Sequence, residues 1–124
     1  MKIINQTKAT VLAEDALLAD NFWKRMVGLL GKDALRPGQA LILKPCNCVH
    51  TFFMRFPIDC LFVDKNKIVI KTISCLKPFK ITPLYFSSHL VIELPEGAIT
   101  SSYTREGDTL LFEPQSPKEG RFSK

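Results

Sequence analysis

The period of apolar positions changes along the chain, and those changes outline its elements. The first apolar stretch, Ala9-Thr10-Val11-Leu12-Ala13, reads as a strand able to pair back onto Lys2 to Asn5. Near residues 20–30 the period becomes helical. Phe22, Trp23, Met26, Leu29 and Leu30 fall at i, i+1, i+4, i+7 and i+8, which predicts one amphipathic helix. Asp20 or Asn21 can accept the free amides of its first turn, and Gly31 can close its end in the left-handed conformation.

After the Pro37-Gly38 turn the pattern is that of strands. Ala40 to Lys44 is a short apolar run. Ile58 to Val63 and Ile68 to Leu76 flank the polar turn Asp64-Lys65-Asn66-Lys67, which predicts a hairpin. His89 to Leu94 is a strand closed by Pro95-Glu96-Gly97, and Gly107-Asp108 opens a last one, Thr109 to Phe112. From Pro114 the pattern is lost. We expect one globular domain over 1–113 and a flexible tail over 114–124. The fold class is α+β, mostly antiparallel β, and strands this short can also close toward a barrel, which removes bare edges.

Composition supports one packed core. The 124 residues are 46% hydrophobic and 23% charged, ordinary globular proportions. A chain of this mass buries about two-thirds of its surface on folding, enough to hold without staples. The first residues show only two consecutive apolar positions, Ile3 and Ile4, where an export signal needs about 7–15. Cys46, Cys48, Cys60 and Cys75 are therefore expected as thiols in a cytoplasmic protein. No run approaches the ~20 apolar residues of a membrane span, so no membrane partner is expected. The net charge of +5 is scattered: Lys65 and Lys67, Lys77 and Lys80, then Lys118, Arg121 and Lys124. Without a block of like charge it reads as solubility, and nucleic acid is not expected. Phosphate-cradling and dinucleotide-binding glycine loops and a catalytic serine elbow are all missing, and no cofactor is expected.

Reactive groups concentrate in one segment, residues 45–59, which holds Cys46, Cys48, His50, Met54, Arg55 and Asp59. Cys46, Cys48 and His50 alternate, so on a strand they would share a face as soft-metal ligands, with Met54 as an addition. The paired Cys-x-x-Cys spacing of such sites is missing, so no metal is expected. Cys46 and His50 can be a nucleophile and base only if a bend closes the ~13 Å that separates them in an extended chain. His50 and Asp59 can form a base and its orienting carboxylate, or each can close a local hydrogen-bond network. Arg55 suits a fixed pair with Asp59, Asp64 or Glu93, or an anionic ligand. Phe52, Phe53, Met54, Phe56, Phe62 and Trp23 read as core. Glu93 interrupts an apolar strand: pointing inward, it needs a partner or a raised pKa.

The run His50-Thr51, Met54, Arg55-Phe56-Pro57-Ile58-Asp59 and Phe62 resembles the signature of the uncharacterised family called domain of unknown function 192. Arg25 with Gly28-Leu29-Leu30, Lys77-Pro78-Phe79, Glu93-Leu94-Pro95 with Gly97, and Gly107-Asp108 extend the likeness from about Thr7 to Phe112. Cys48, Cys60 and Cys75 fall outside that signature. The resemblance implies a compact, mostly β single domain and no established activity. The resulting expectation is a small ligand- or protein-binding domain with its site around 46–59, using His50, Met54, Arg55 and Glu93. The alternative is a small enzyme of hydrolase or transferase type, with catalytic candidates His50, Asp59 and Cys46.

Overall fold

The computed structural model describes residues 1–18, 35–51 and 54–114. Eight strands and one short helix follow in the order β1 Lys2–Asn5, β2 Thr10–Ala13, β3 Asp15–Leu18, β4 Gln39–Leu43, β5 Ile58–Val63, β6 Val69–Leu76, β7 Leu90–Pro95, α1 Ala98–Ser101 and β8 Leu110–Glu113. They form a three-stranded sheet, β2-β1-β8, and a five-stranded sheet, β3-β4-β7-β5-β6. The fold is mostly antiparallel β. The β1–β2 and β5–β6 pairings expected from the sequence both form. The predicted helix over 20–30 and residues 115–124 of the predicted tail lie outside the described residues.

The barrel suggested by strand length does not form. The sheets meet at two narrow seams: Ala16 exchanges hydrogen bonds with Met1, and an isolated bridge joins Ile68 to Thr109. A continuous barrel wall needs a ladder along every strand, and these seams are too short to supply one. The chain instead stacks the two sheets. Ile3, Leu12 and Leu110 from the smaller sheet pack with Ala16, Ile42, Leu61, Val63, Ile92 and Leu94 from the larger. The other face of the larger sheet carries Leu41, Leu43, Ile58, Cys60, Phe62 and Val91. Val49, Met54 and Phe56 cover it, and Tyr85 sets its ring 4.5 Å from that of Phe62.

Every residue of β5 is buried, as is nearly all of β7. Two covered faces explain their apolar runs, which lack the alternation of a half-exposed strand. Two elements escaped the sequence reading. Strand β3, Asp-Ala-Leu-Leu, has one buried residue and carries no periodic signal. It runs parallel to β4, an arrangement that residues distant in sequence decide. Helix α1 spans one turn and has no local cap, because Gly97 occupies the cap position with φ of 96°. Only glycine takes that conformation without strain.

Asp59, a candidate catalytic residue in the sequence, turns out to organise this region. Its side chain leaves β5 on the face of Leu61 and Val63 and is fully buried. Its Oδ2 accepts the amides of Gly97 at 3.1 Å and Ile99 at 2.9 Å, so it supplies the missing cap of α1 from another strand. Its Oδ1 accepts the Cys75 amide at 2.9 Å. The register of β5 against β6 slips here: Ile58 faces Leu76 and Cys60 faces Ile73. Ser74 and Cys75 thus oppose Asp59 as a bulge, with Cys75 at φ of 55°. One carboxylate therefore holds a bulge and a helix start together.

Replacing Asp59 by Asn puts an amide donor where a backbone donor already points. We expect Asp59→Asn to lower unfolding stability by about 2–4 kcal/mol, measured by urea titration. A loss under about 1 kcal/mol would mean the three amides find other acceptors.

Candidate functional site

Strand pleating separates the polar candidates. Glu93 pairs across with Leu41 of β4 and Cys60 of β5. Directly opposed residues share a face, so Glu93 points with Leu41, Cys60 and Val91 into the second apolar cluster. Asp59, one position from Cys60, points to the opposite face. The two buried carboxylates therefore cannot act together, although they are near neighbours in the ladder.

Glu93 is 1% exposed. Its Oε1 is buried and makes no hydrogen bond among the described residues. Burial alone pushes its pKa from the ordinary 4.5 to about 7. Among the described residues no cation approaches to hold the charge, so the neutral acid competes with the carboxylate near neutrality. The inward-pointing Glu93 foreseen as needing a partner or a raised pKa has the second. The thiols of Cys60 and Cys46 are the titratable groups that bear on it among the described residues. Desolvation raises both thiols, Cys60 the more strongly, so both are neutral.

The 46–51 stretch is not a regular strand. It is tied to residues 77–89 by scattered hydrogen bonds, with an isolated bridge between His50 and Ile81. The alternating face imagined for Cys46, Cys48 and His50 is therefore not built. The Cys46 thiol donates to the Cys48 carbonyl at 3.1 Å, and no Cys46–His50 hydrogen bond forms. Asp59 spends both oxygens on backbone amides, so it does not orient His50 either. His50 is half-buried, and Met54 is buried in the cluster that surrounds Glu93. Arg55 is exposed and joins no ion pair among the described residues, so its expected pairing with Asp59, Asp64 or Glu93 does not form. Asp59 and Glu93 are enclosed on β5 and β7, beyond reach of a side chain turned to water.

Thr51 is the polar residue of this segment that the sequence reading passed over. It is fully buried. Its hydroxyl donates to Lys77 O at 2.6 Å and accepts the Lys80 amide at 3.0 Å, while its carbonyl accepts the Phe79 amide at 2.8 Å. Its place after His50 in the signature was the available signal. All four cysteines are free thiols. Among the described residues no three His, Cys, Asp or Glu side chains converge as a metal set, and no helix is long and apolar enough to cross a membrane. An open cleft of about 460 Å³ beside Val11, Glu14, Gly38, Pro95, Gly97 and Ser101 contains none of the candidates.

These features define a class: a two-sheet, mostly antiparallel domain with a glutamate buried on one face of its larger sheet, one of its oxygens without a hydrogen bond among the described residues. The chain belongs to the family domain of unknown function 192, described as an uncharacterized ACR, whose profile matches residues 3–112. It is 32% identical over 114 residues to a UPF0127 protein of Pyrococcus furiosus, covering 87% of this chain and 95% of that one. It is 35% identical over 101 residues to a UPF0127 protein of Pyrococcus abyssi, covering 77% and 83%. A crystal structure of a protein of unknown function from Novosphingobium aromaticivorans has the same fold, with a TM-score of 0.76, 18% identity, and coverage of 90% of this chain and 84% of the other. A second solved structure, from Sinorhizobium meliloti, gives a TM-score of 0.73 at 17% identity, covering 89% of each chain.

The Glu93 environment fixes a sign for pH dependence. Its folded pKa lies above its unfolded one, so its favourable contribution is complete below about 4.5 and is lost as pH rises through about 7. The loss is about 3 kcal/mol across that window. Urea unfolding of the parent and of Glu93→Gln at pH 4.5 and pH 8 should show the parent losing that much relative to the variant. Parallel pH curves would mean that Glu93 has a partner in solution.

Proposed function

We propose that this chain is a small-ligand-binding domain whose site lies on the Glu93 face of the five-stranded sheet. One observation carries the reading: a nearly fully buried carboxyl with an unused oxygen, set among Leu41, Cys60 and Val91. A buried oxygen without a hydrogen bond among the described residues costs stability, and this supports a role for Glu93 beyond packing. A carboxyl poised near neutrality can donate or accept one hydrogen bond. Its apolar surroundings suit a ligand with an apolar body and a single amine, amide or hydroxyl group. Met54 contributes to the same apolar cluster, His50 is half-buried on the same segment, and Arg55 is exposed with no ion pair among the described residues. The enzyme alternative, His50 with Asp59 or Cys46, draws less support, since the Asp59 carboxylate accepts backbone amides and the Cys46 thiol donates to the Cys48 carbonyl. The four free thiols support a reducing, cytoplasmic setting.

The test is a nuclear magnetic resonance screen with a fragment set of apolar amines, amides and alcohols. Hits should shift the amides of Leu41, Cys60, Val91 and Glu93 together, and Glu93→Leu should weaken them at least tenfold while the domain stays folded. Shifts scattered over the surface, or hits indifferent to Glu93→Leu, would overturn the proposal.

A further inference from the structure

The second feature of this molecule lies on its surface, and it does not depend on Glu93. Residues 77–89 run beside 46–51 as an irregular ribbon: Thr51 bonds to Lys80, Val49 to Thr82, Asn47 to Tyr85 and Cys46 to His89. The inward positions are filled, since Thr82 is buried and Tyr85 packs on Phe62. The outward positions are apolar as well. Phe79 is 72% exposed, Ile81 65%, Leu84 53% and Phe86 85%. Four bulky apolar side chains on one short ribbon are more than the scattered exposure of an ordinary surface.

Along the chain their charge setting is mostly basic, and the carboxylate that comes near is Asp64, which lines a surface cleft with Lys65 and Phe86. No carboxylate occurs between Asp64 and Glu93, a stretch that carries Lys65, Lys67, Lys71, Lys77 and Lys80. The other side of the ribbon, residues 44–51, brings Lys44 and again no carboxylate. Lys77 and Lys80 bracket Pro78-Phe79 and are exposed. Thr51 fixes this turn through hydrogen bonds of both its side chain and its backbone, so Phe79 is presented at φ of 64° on a braced backbone.

We propose that this ribbon docks the protein on an anionic lipid bilayer. Phe79, Ile81 and Leu84 are exposed, and Phe86 is exposed at the edge of a shallow cleft; a bilayer receives exposed apolar groups without a matching socket. Lysines around the apolar tips suit negative headgroups, the combination that peripheral membrane binding requires. Ile81 and Leu84 favour acyl chains over the bases of a nucleic acid, which select stacking aromatics. The membrane partner set aside for want of a spanning run thus returns in a form that needs no span.

Co-sedimentation of the full chain with phosphatidylglycerol-containing and pure phosphatidylcholine vesicles tests this. Binding is expected to the anionic vesicles and to fall with salt. Lys77→Gln with Lys80→Gln should weaken it about 30-fold. Phe79→Asn with Phe86→Ser should remove it, with the melting temperature unchanged, because both rings are exposed and Asn tolerates positive φ. No preference for anionic vesicles, or equal binding by the Phe79→Asn, Phe86→Ser protein, overturns the proposal. So does a parent that ignores vesicles but dimerises through these residues in sedimentation velocity, which would assign the ribbon to a second copy of the chain.

Discussion

The ladder between β5 and β7 is the constraint on which the rest of the structure depends. Both strands are interior to the five-stranded sheet and covered on both faces. Pleating then assigns every side chain to one of two dry compartments, with no solvent face to absorb a mistake. Each compartment receives one carboxyl. Asp59 enters the one between the sheets, and Glu93 the one beneath Val49, Met54 and Phe56.

The protein treats the two groups in opposite ways. Around Asp59 the backbone departs from regularity to deliver donors: a bulge in β6, a left-handed glycine and a one-turn helix all turn amides toward it. These irregularities together replace the water that Asp59 loses, so its burial organises the fold. Around Glu93 nothing is rearranged. It sits in a regular ladder between Leu41 and Cys60, keeps an unused oxygen, and responds by holding its proton to higher pH. The same residue chemistry thus yields a structural element on one face and an unspent polar group on the other. The exposed ribbon of Phe79 to Phe86 is a third case, in which apolar groups are held out by a buried threonine rather than folded in.

Much of the fold was legible from local pattern. The β5–β6 hairpin announced itself through two β-branched runs around a polar turn, and β7 through an apolar run ended by Pro95-Glu96-Gly97. Glu93 was visible as a polar break in that run. Strand β3 was not legible, because a mostly exposed strand has no hydrophobic alternation to show. Helix α1 was not either, because a single turn has no period and its cap comes from a residue 38 positions earlier in the chain. The polar segment 46–59 looked like one site only because its residues are adjacent in sequence.

The sequence by itself determined the strand content, the central hairpin, the family resemblance and the presence of chemically unusual residues, since these follow from side-chain type and short-range spacing. Tertiary structure alone decided what those residues do. It set Asp59 and Glu93 on opposite faces, turned the Cys46 thiol to a neighbouring carbonyl, left Arg55 in water and braced Phe79 outward. The reason is that a side chain's role depends on which face it takes and which donors meet it there. Both are fixed by register with strands and loops far along the chain, which spacing within one segment does not encode.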